Sequence, residues 1–241
     1  MFSGKTYWLI GASEGLGRAL AGLMAAEGAR LVLSARNAER LEDLAATLPH
    51  ARPLAMDVTD DGSVRAAVAD LGEIDGVIYC AGAYEPMTAA DWDVDAALQV
   101  SEVNFTGALR SLGHVVPAMA ARGAGHIVLI GSLAGFRGLP GAIGYGASKA
   151  ALMHLAENLY MDLAGKGIKV QQVNPGFIKT RLTDKNAFDM PYIITPEDAA
   201  HRTLKAMKSR RFATSYPWQM AGFFRAGALM PIRWFRRLMG A

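Results

Sequence analysis

The chain has 241 residues, room for one well-buried α/β domain and too few for two comfortable ones. Its 51% hydrophobic and 20% charged content is that of a soluble globular protein, and no run reaches the ~18 uninterrupted apolar residues of a membrane span. The net charge of +3 is unevenly placed: Asp198 is the last acid, and only basic charges follow it, Lys205, Lys208, Arg210, Arg211, Arg225, Arg233, Arg236 and Arg237 among them.

Short apolar runs alternate along the chain with longer helix-patterned segments, which predicts an α/β fold with a Rossmann-type doubly wound parallel sheet and helices on both faces. The expected strands are residues 6–10, 30–34, 52–56, 76–79, 126–130 and 169–173. Their nearly continuous apolar character is that of strands buried on both faces. The expected helices are residues 17–27, 39–48, 61–71, 96–121 and 145–164, with one more beginning at Pro196 behind a Thr195 N-cap. Leu16, Leu20, Leu23 and Met24 recur at helical spacing, as do Leu152, Leu155, Leu159 and Leu163. No repeat or linker divides residues 1–241, so a single dinucleotide-binding and catalytic domain is expected, with 209–241 an atypical basic-aromatic C-terminal extension.

The first strand runs into Gly11, Ser13, Gly15, Leu16 and Gly17 and then into a helix. Gly11 allows a sharp exit from the strand, Gly15 lets backbone approach a pyrophosphate, and Gly17 lets helix pack on sheet. The helix N-terminus offers free N–H groups and a favourable dipole to phosphates. Three glycines alone are also compatible with a plain turn; the strand–turn–helix context favours a nucleotide site. The second strand ends without the acid that would bind the ribose hydroxyls of NAD, and Arg36 follows instead, which suits the 2′-phosphate of NADP. NADP(H) is therefore the preferred cofactor, with NAD(H) the alternative. Asp57, followed by Val58, has two readings: a partner for the adenine amino group, or a cap for the next helix.

Tyr145 and Lys149 lie four residues apart, one helical turn on one face. A phenol ionises near pH ~10, and a nearby ammonium would lower that value toward useful proton transfer. At this point the chain resembles the short-chain dehydrogenase/reductase family, over about residues 5 to 207. The resemblance rests on the glycine turn, Ala81–Gly82 after the fourth strand, Asn104, Ser132, Tyr145-x-x-x-Lys149 and Asn174–Pro175–Gly176. It implies that Tyr145 is the proton donor in reduction and the base in oxidation. Lys149 would hold the nicotinamide ribose and depress the phenol, Ser132 would polarise the substrate oxygen, and Asn104 would hold a water in a proton relay. It further implies cofactor contacts from Ala81, Gly82, Pro175, Gly176, the Ile178 backbone and the Thr180 hydroxyl. The implied activity is hydride transfer between nicotinamide and a ketone, aldehyde or secondary alcohol of a small apolar molecule. A catalytically silent NADP-binding regulator or scaffold is the alternative.

The chain departs from the family pattern in two places. Tyr79 and Cys80 stand where the family usually carries two asparagines, so a side-chain bond is lost there or replaced by packing. Glu14 stands where NADP-preferring relatives often carry a basic residue, leaving Arg36 as the support for NADP.

Cys80 is read as an inert buried thiol; as the only cysteine it fits a reducing compartment, and with no signal peptide at the start a cytoplasmic location is expected. The five histidines show no metal-ligand spacing, so no metal is expected. Residues 187–194 are apolar and read either as a substrate pocket wall or as a packed connection. The tail reads either as an arm packed on the protein, the favoured reading, or as an interfacial segment touching membrane. A homo-oligomer, dimer or tetramer, is implied by the resemblance, and no nucleic-acid partner is expected.

Overall fold

The computed structural model describes residues 1–240. Its sheet has seven strands: β1 (Thr6–Ile10), β2 (Arg30–Ser34), β3 (Ala51–Pro53), β4 (Gly76–Tyr79), β5 (Gly125–Ile130), β6 (Ile168–Pro175) and β7 (Ala213–Tyr216). They lie in the order β3-β2-β1-β4-β5-β6-β7, and every pairing is parallel. The expected Rossmann-type doubly wound sheet is therefore the observed one.

Strand β1 shows how the sheet acquires two buried faces. Tyr7 and Leu9 point to one side and Trp8 and Ile10 to the other, and all four are buried. On the first side they meet α1 (Gly15–Ala26), α2 (Ala38–Ala46) and α7 (Pro196–Lys208) through Leu20, Met24, Leu41 and Met207. On the second they meet α3 (Asp61–Leu71), α5 (Gly107–Arg122) and α6 (Ile143–Asp162) through Val64, Leu112, Met119 and Leu152. The helix starts were written locally: Asn37, Asp60 and Thr195 accept hydrogen bonds from the backbone N–H groups of Arg40, Ser63 and Asp198.

Three segments differ from expectation. Regular pairing of the third strand stops at Pro53, which brings no N–H, although Leu54 and Met56 still donate to Leu33 on β2 and to Ala35 just past it. The helix expected over residues 96–121 is instead α4 (Val94–Ser101), a π turn (Glu102–Thr106) and α5. Its cause lies on another strand: the Tyr79 hydroxyl donates to the Val103 carbonyl at 2.5 Å, and the Gly107 N–H bonds to Glu102 O, one residue further back than in an α-helix. The third difference is β7, read from the sequence as the start of the C-terminal extension. Its run ATSY is too short and too polar to announce a strand, but it pairs along β6 at the sheet edge.

Beyond β7 come α8 (Trp218–Leu229) and α9 (Ile232–Leu238). Ala221, Phe224 and Gly227 recur at three-residue spacing and form the buried face of α8. With Phe235 of α9, Ala221 and Phe224 cluster on Leu133, the residue after Ser132. The tail thus packs on the protein by one face.

A buried histidine gives the fold a pH dependence. His126 on β5 meets the Tyr7 hydroxyl through Nδ1 at 2.9 Å and Gln171 Oε1 through Nε2 at 2.9 Å. Burial, helped by the Lys169 charge, pushes it down to about 4, so it is neutral in the folded protein. In the unfolded chain it takes up a proton near pH ~6.5, so its contribution to stability is complete above that pH and drains away as pH falls toward the folded value. Urea melts should show roughly 2 kcal/mol lost through this group between pH 7.5 and 5. A His126→Gln variant should have a flatter profile across that window, and an unchanged slope would show that His126 is not the group responsible.

Candidate functional site

Strands β1 and β4 are neighbours whose following helices lie on opposite faces of the sheet, so a crevice opens at their carboxyl ends. The backbones meet closely there. A methyl on Gly11 would lie 2.5 Å from the Ala81 nitrogen, and one on Gly17 would lie 2.0 Å from Gly11 O. Glu14, at the N-cap of α1, makes no capping bond with its side chain, which leaves the first N–H groups of the helix facing the crevice. The cleft has a volume of about 920 Å³.

Seventeen of the sequence-predicted residues line one wall or another of this cleft. Gly11, Ser13, Gly15, Leu16 and Gly17 form the turn, Arg36, Asp57 and Val58 one end, and Ala81 and Gly82 the β4 side. Ser132, Tyr145 and Lys149 stand at the other end, with Pro175, Gly176 and Ile178 beside them. Thr180 also lines the cleft, with its methyl 3.0 Å from where a Gly15 Cβ would be. Asp57 does not cap the next helix, a place taken by Asp60; its carboxylate accepts from the Thr59 N–H and hydroxyl, at 2.9 and 2.8 Å, closing a turn ahead of α3, and it borders the cleft.

Asn104 is placed differently. It is fully buried behind the wall, where its Oδ1 accepts from the Ala83 N–H at 2.7 Å. Its Nδ2 donates to Ala83 O and to Ser148 Oγ, both at 3.0 Å. The side chain is a brace between the loop after β4 and the helix that carries Tyr145 and Lys149.

At the chemical end, Ser132 closes β5 and its Oγ accepts from the Ala134 N–H at 3.1 Å, leaving its O–H to point elsewhere. Tyr145 and Lys149 sit in the first two turns of α6. Lys149 is buried, and Nζ donates to Ile130 O at 3.0 Å, 6.0 Å from the centre of the Tyr145 ring. Burial pushes this amine down to about 8. Burial raises the Tyr145 phenol, and a hydrogen bond with Ser132 offsets part of that rise. The expected depression of the phenol by Lys149 is thus not what this geometry produces, because the ammonium is turned to a backbone carbonyl and desolvation outweighs it. Cys80 is pushed up to about 11 by burial, in keeping with an inert thiol.

Several contacts at the site carry no readable signal in the sequence. Glu14 is bound by Arg40 at 3.0 Å and by Arg181 at 2.6 Å, so the acid at the rim is answered by two cations while Arg36 stays exposed beside them. Tyr84 sets its ring edge-on to Tyr145 with centroids 5.0 Å apart and donates to Asn186 Oδ1 at 2.7 Å. Arg110 holds the Val58 carbonyl at 2.5 Å. Tyr79 supplies a bond where one seemed lost, and its oxygen fits because residue 107 is glycine: a Cβ there would lie 2.6 Å away.

The family model described as short chain dehydrogenase matches residues 5–190. The chain belongs to the short-chain dehydrogenase family. It is 36% identical over 235 residues to an uncharacterized oxidoreductase of Myxococcus xanthus, covering 94% of this chain and 93% of that protein. A short-chain dehydrogenase of Burkholderia cenocepacia, solved in complex with NADP, superposes with a TM-score of 0.88 at 25% identity, covering 99% of this chain and 98% of that one. One from Sphingobium yanoikuyae, solved with NADPH, gives a TM-score of 0.83 at 28% identity over 93% and 95% of the two chains. This short-chain dehydrogenase is accordingly an oxidoreductase of that family.

The Tyr79 hydroxyl holds the π turn that carries Asn104. Tyr79→Phe leaves the buried Val103 carbonyl without its partner, or lets the π turn relax and shifts Asn104. The expected cost is about 1–2 kcal/mol in urea unfolding, together with a lower turnover. Wild-type stability and rate in this variant would show that the π turn does not depend on the bond.

Proposed function

We propose that this short-chain dehydrogenase is an NADP(H)-dependent enzyme that moves a hydride between nicotinamide and a ketone or aldehyde, or the corresponding secondary alcohol, of a small apolar molecule. The observation that carries this reading is the convergence of Ser132, Tyr145 and Lys149 at one end of a cleft whose other end is rimmed by arginine.

The residues present fit a dinucleotide. A Cβ would fill the cradle at Gly11 and Gly17, and the uncapped start of α1 presents N–H groups where a pyrophosphate would lie. At the ribose end, Arg36 and Arg40 stand near one another on the rim, and Glu14 is already engaged by Arg40 and Arg181. That local excess of positive charge suits a 2′-phosphate, and a neutralised Glu14 no longer argues against one. When bound, the nicotinamide supplies or accepts the hydride.

The chain's own residues handle the oxygen. Because burial raises the Tyr145 phenol, it keeps its proton at neutral pH and can donate it to a substrate oxygen gaining negative charge. The Ser132 hydroxyl donates a hydrogen bond to the same oxygen. Lys149, fixed to Ile130 O beside the chemical end of the cleft, would hold the nicotinamide ribose. Support for an apolar substrate comes from Tyr84, whose ring lies against Tyr145, and from Ile178 and Leu182, which also line the cleft.

NADPH absorbance across a panel of ketones and aldehydes tests the chemistry. Tyr145→Phe should lower the rate by about 100-fold or more while NADPH still binds. An unchanged rate would remove the proposed proton donor. Fluorescence titration tests the cofactor: Arg36→Ala should weaken NADPH by about tenfold or more and leave NADH nearly unaffected. Equal wild-type affinity for the two nucleotides would defeat the preference.

A further inference from the structure

The C-terminal pair of helices has an outer face that its packing leaves uncovered. Buried Ala221, Phe224 and Gly227 occupy the inner side of α8, and Trp218, Gly222 and Leu229 fall at helical spacing on the opposite side. Leu229 is 91% exposed and Trp218 76% exposed. Helix α9 folds back on α8 by setting Phe235 against Gly227, where a Cβ would lie 2.5 Å from the ring, and this leaves Ile232, Trp234 and Leu238 exposed. Two tryptophans and three aliphatic side chains facing solvent within 21 residues are costly in water, and the folded chain does nothing to hide them.

The charges on this segment narrow what covers it. Arg233, Arg236 and Arg237 are all exposed among these apolar groups, and no acidic residue follows Asp198. Two copies of this face paired about a two-fold axis would set arginines against arginines with no carboxylate on the segment to answer them. An anionic bilayer surface answers both features at once: phosphate headgroups meet the guanidinium groups, while tryptophan and leucine enter the boundary of the acyl chains. Among the described residues no helix is long and apolar enough to cross a membrane. Helices of 12 and 7 residues separated by Pro231 suit lying in the headgroup plane.

We infer that the outer face of α8 and α9 docks this protein on anionic lipid surfaces. The inner face of the same helices covers Leu133 next to Ser132, so docking brings the substrate end of the cleft to the bilayer. The inference concerns a surface and stands whether or not the proposed reaction is correct.

Co-sedimentation of the full chain with two kinds of vesicle, phosphatidylcholine alone and phosphatidylcholine with phosphatidylglycerol, tests it directly. Pelleting is expected with the anionic vesicles only, and should weaken in high salt. Leu229→Gln and Trp234→Gln, both in exposed positions, should each reduce partitioning about tenfold with an unchanged melting temperature. Replacing Arg233, Arg236 and Arg237 together by glutamine should reduce it about a hundredfold. Absence of pelleting with either vesicle overturns the inference, as does pelleting that none of these variants weakens. If the protein ignores both vesicles but elutes as an oligomer that Leu229→Gln dissociates, the face is a contact between copies and the lipid assignment fails.

Discussion

Where β1 and β4 part, the backbone of Gly11 lies so near that of Ala81 that a single methyl group would be 2.5 Å from the Ala81 nitrogen. The geometry of the site follows from that contact. It fixes the loop after β4 from one side, and Asn104 fixes it from the other by bonding both the N–H and the carbonyl of Ala83. Asn104 then reaches Ser148, the residue before Lys149 on α6. A continuous chain of short contacts therefore runs from the glycine turn to the catalytic helix, and the two ends of the cleft are positioned by one another.

The electrostatics of the two ends are of different kinds. At the chemical end the groups are buried, so desolvation decides protonation: the phenol is raised and the amine lowered, each toward its neutral form. At the rim the ion pairs of Glu14 with Arg40 and Arg181 are exposed to solvent, and such pairs add only ~0–1 kcal/mol to stability. Their effect is local: they cancel one carboxylate beside Arg36 and leave an excess of positive charge where an anionic group would arrive.

The parts of this arrangement that depend on neighbours in sequence were readable in advance. The glycine turn, the Tyr145 and Lys149 pair, the Thr195 cap and six of the seven strands follow from local pattern, although the third pairs regularly only to Pro53, and residues between 11 and 180 supply most of the cleft walls. What escaped depends on contacts between distant segments. The π turn needs a hydroxyl from Tyr79, 24 residues before Val103. Arg181 meets Glu14 across 167 residues, and no spacing rule joins them. The state of Tyr145 also could not be inferred from the Lys149 spacing alone, because where Nζ points depends on Ile130 O at the end of β5. Strand β7 was missed for a simpler reason: four residues rich in small hydroxyl side chains carry almost no hydrophobic pattern, and only the exposed edge of β6 gives them a place.

The C-terminal helices belong to the site as well as to the surface. Arg137, on the loop between Ser132 and Tyr145, donates to Met230 O at 2.7 Å and to Ala228 O at 3.4 Å, satisfying carbonyls at the end of α8. Its guanidinium also lies 5.8 Å from the centre of the Phe235 ring. The same loop thus carries the hydroxyl proposed to polarise substrate and the cation that anchors the tail. Leu133 is shielded from water by Ala221, Phe224 and Phe235, residues that the core sheet does not supply. The tail therefore completes the packing beneath the loop that carries Ser132. A shift of α8 would carry Arg137 with it, and through that loop would change the surroundings of Ser132 without touching any cofactor contact.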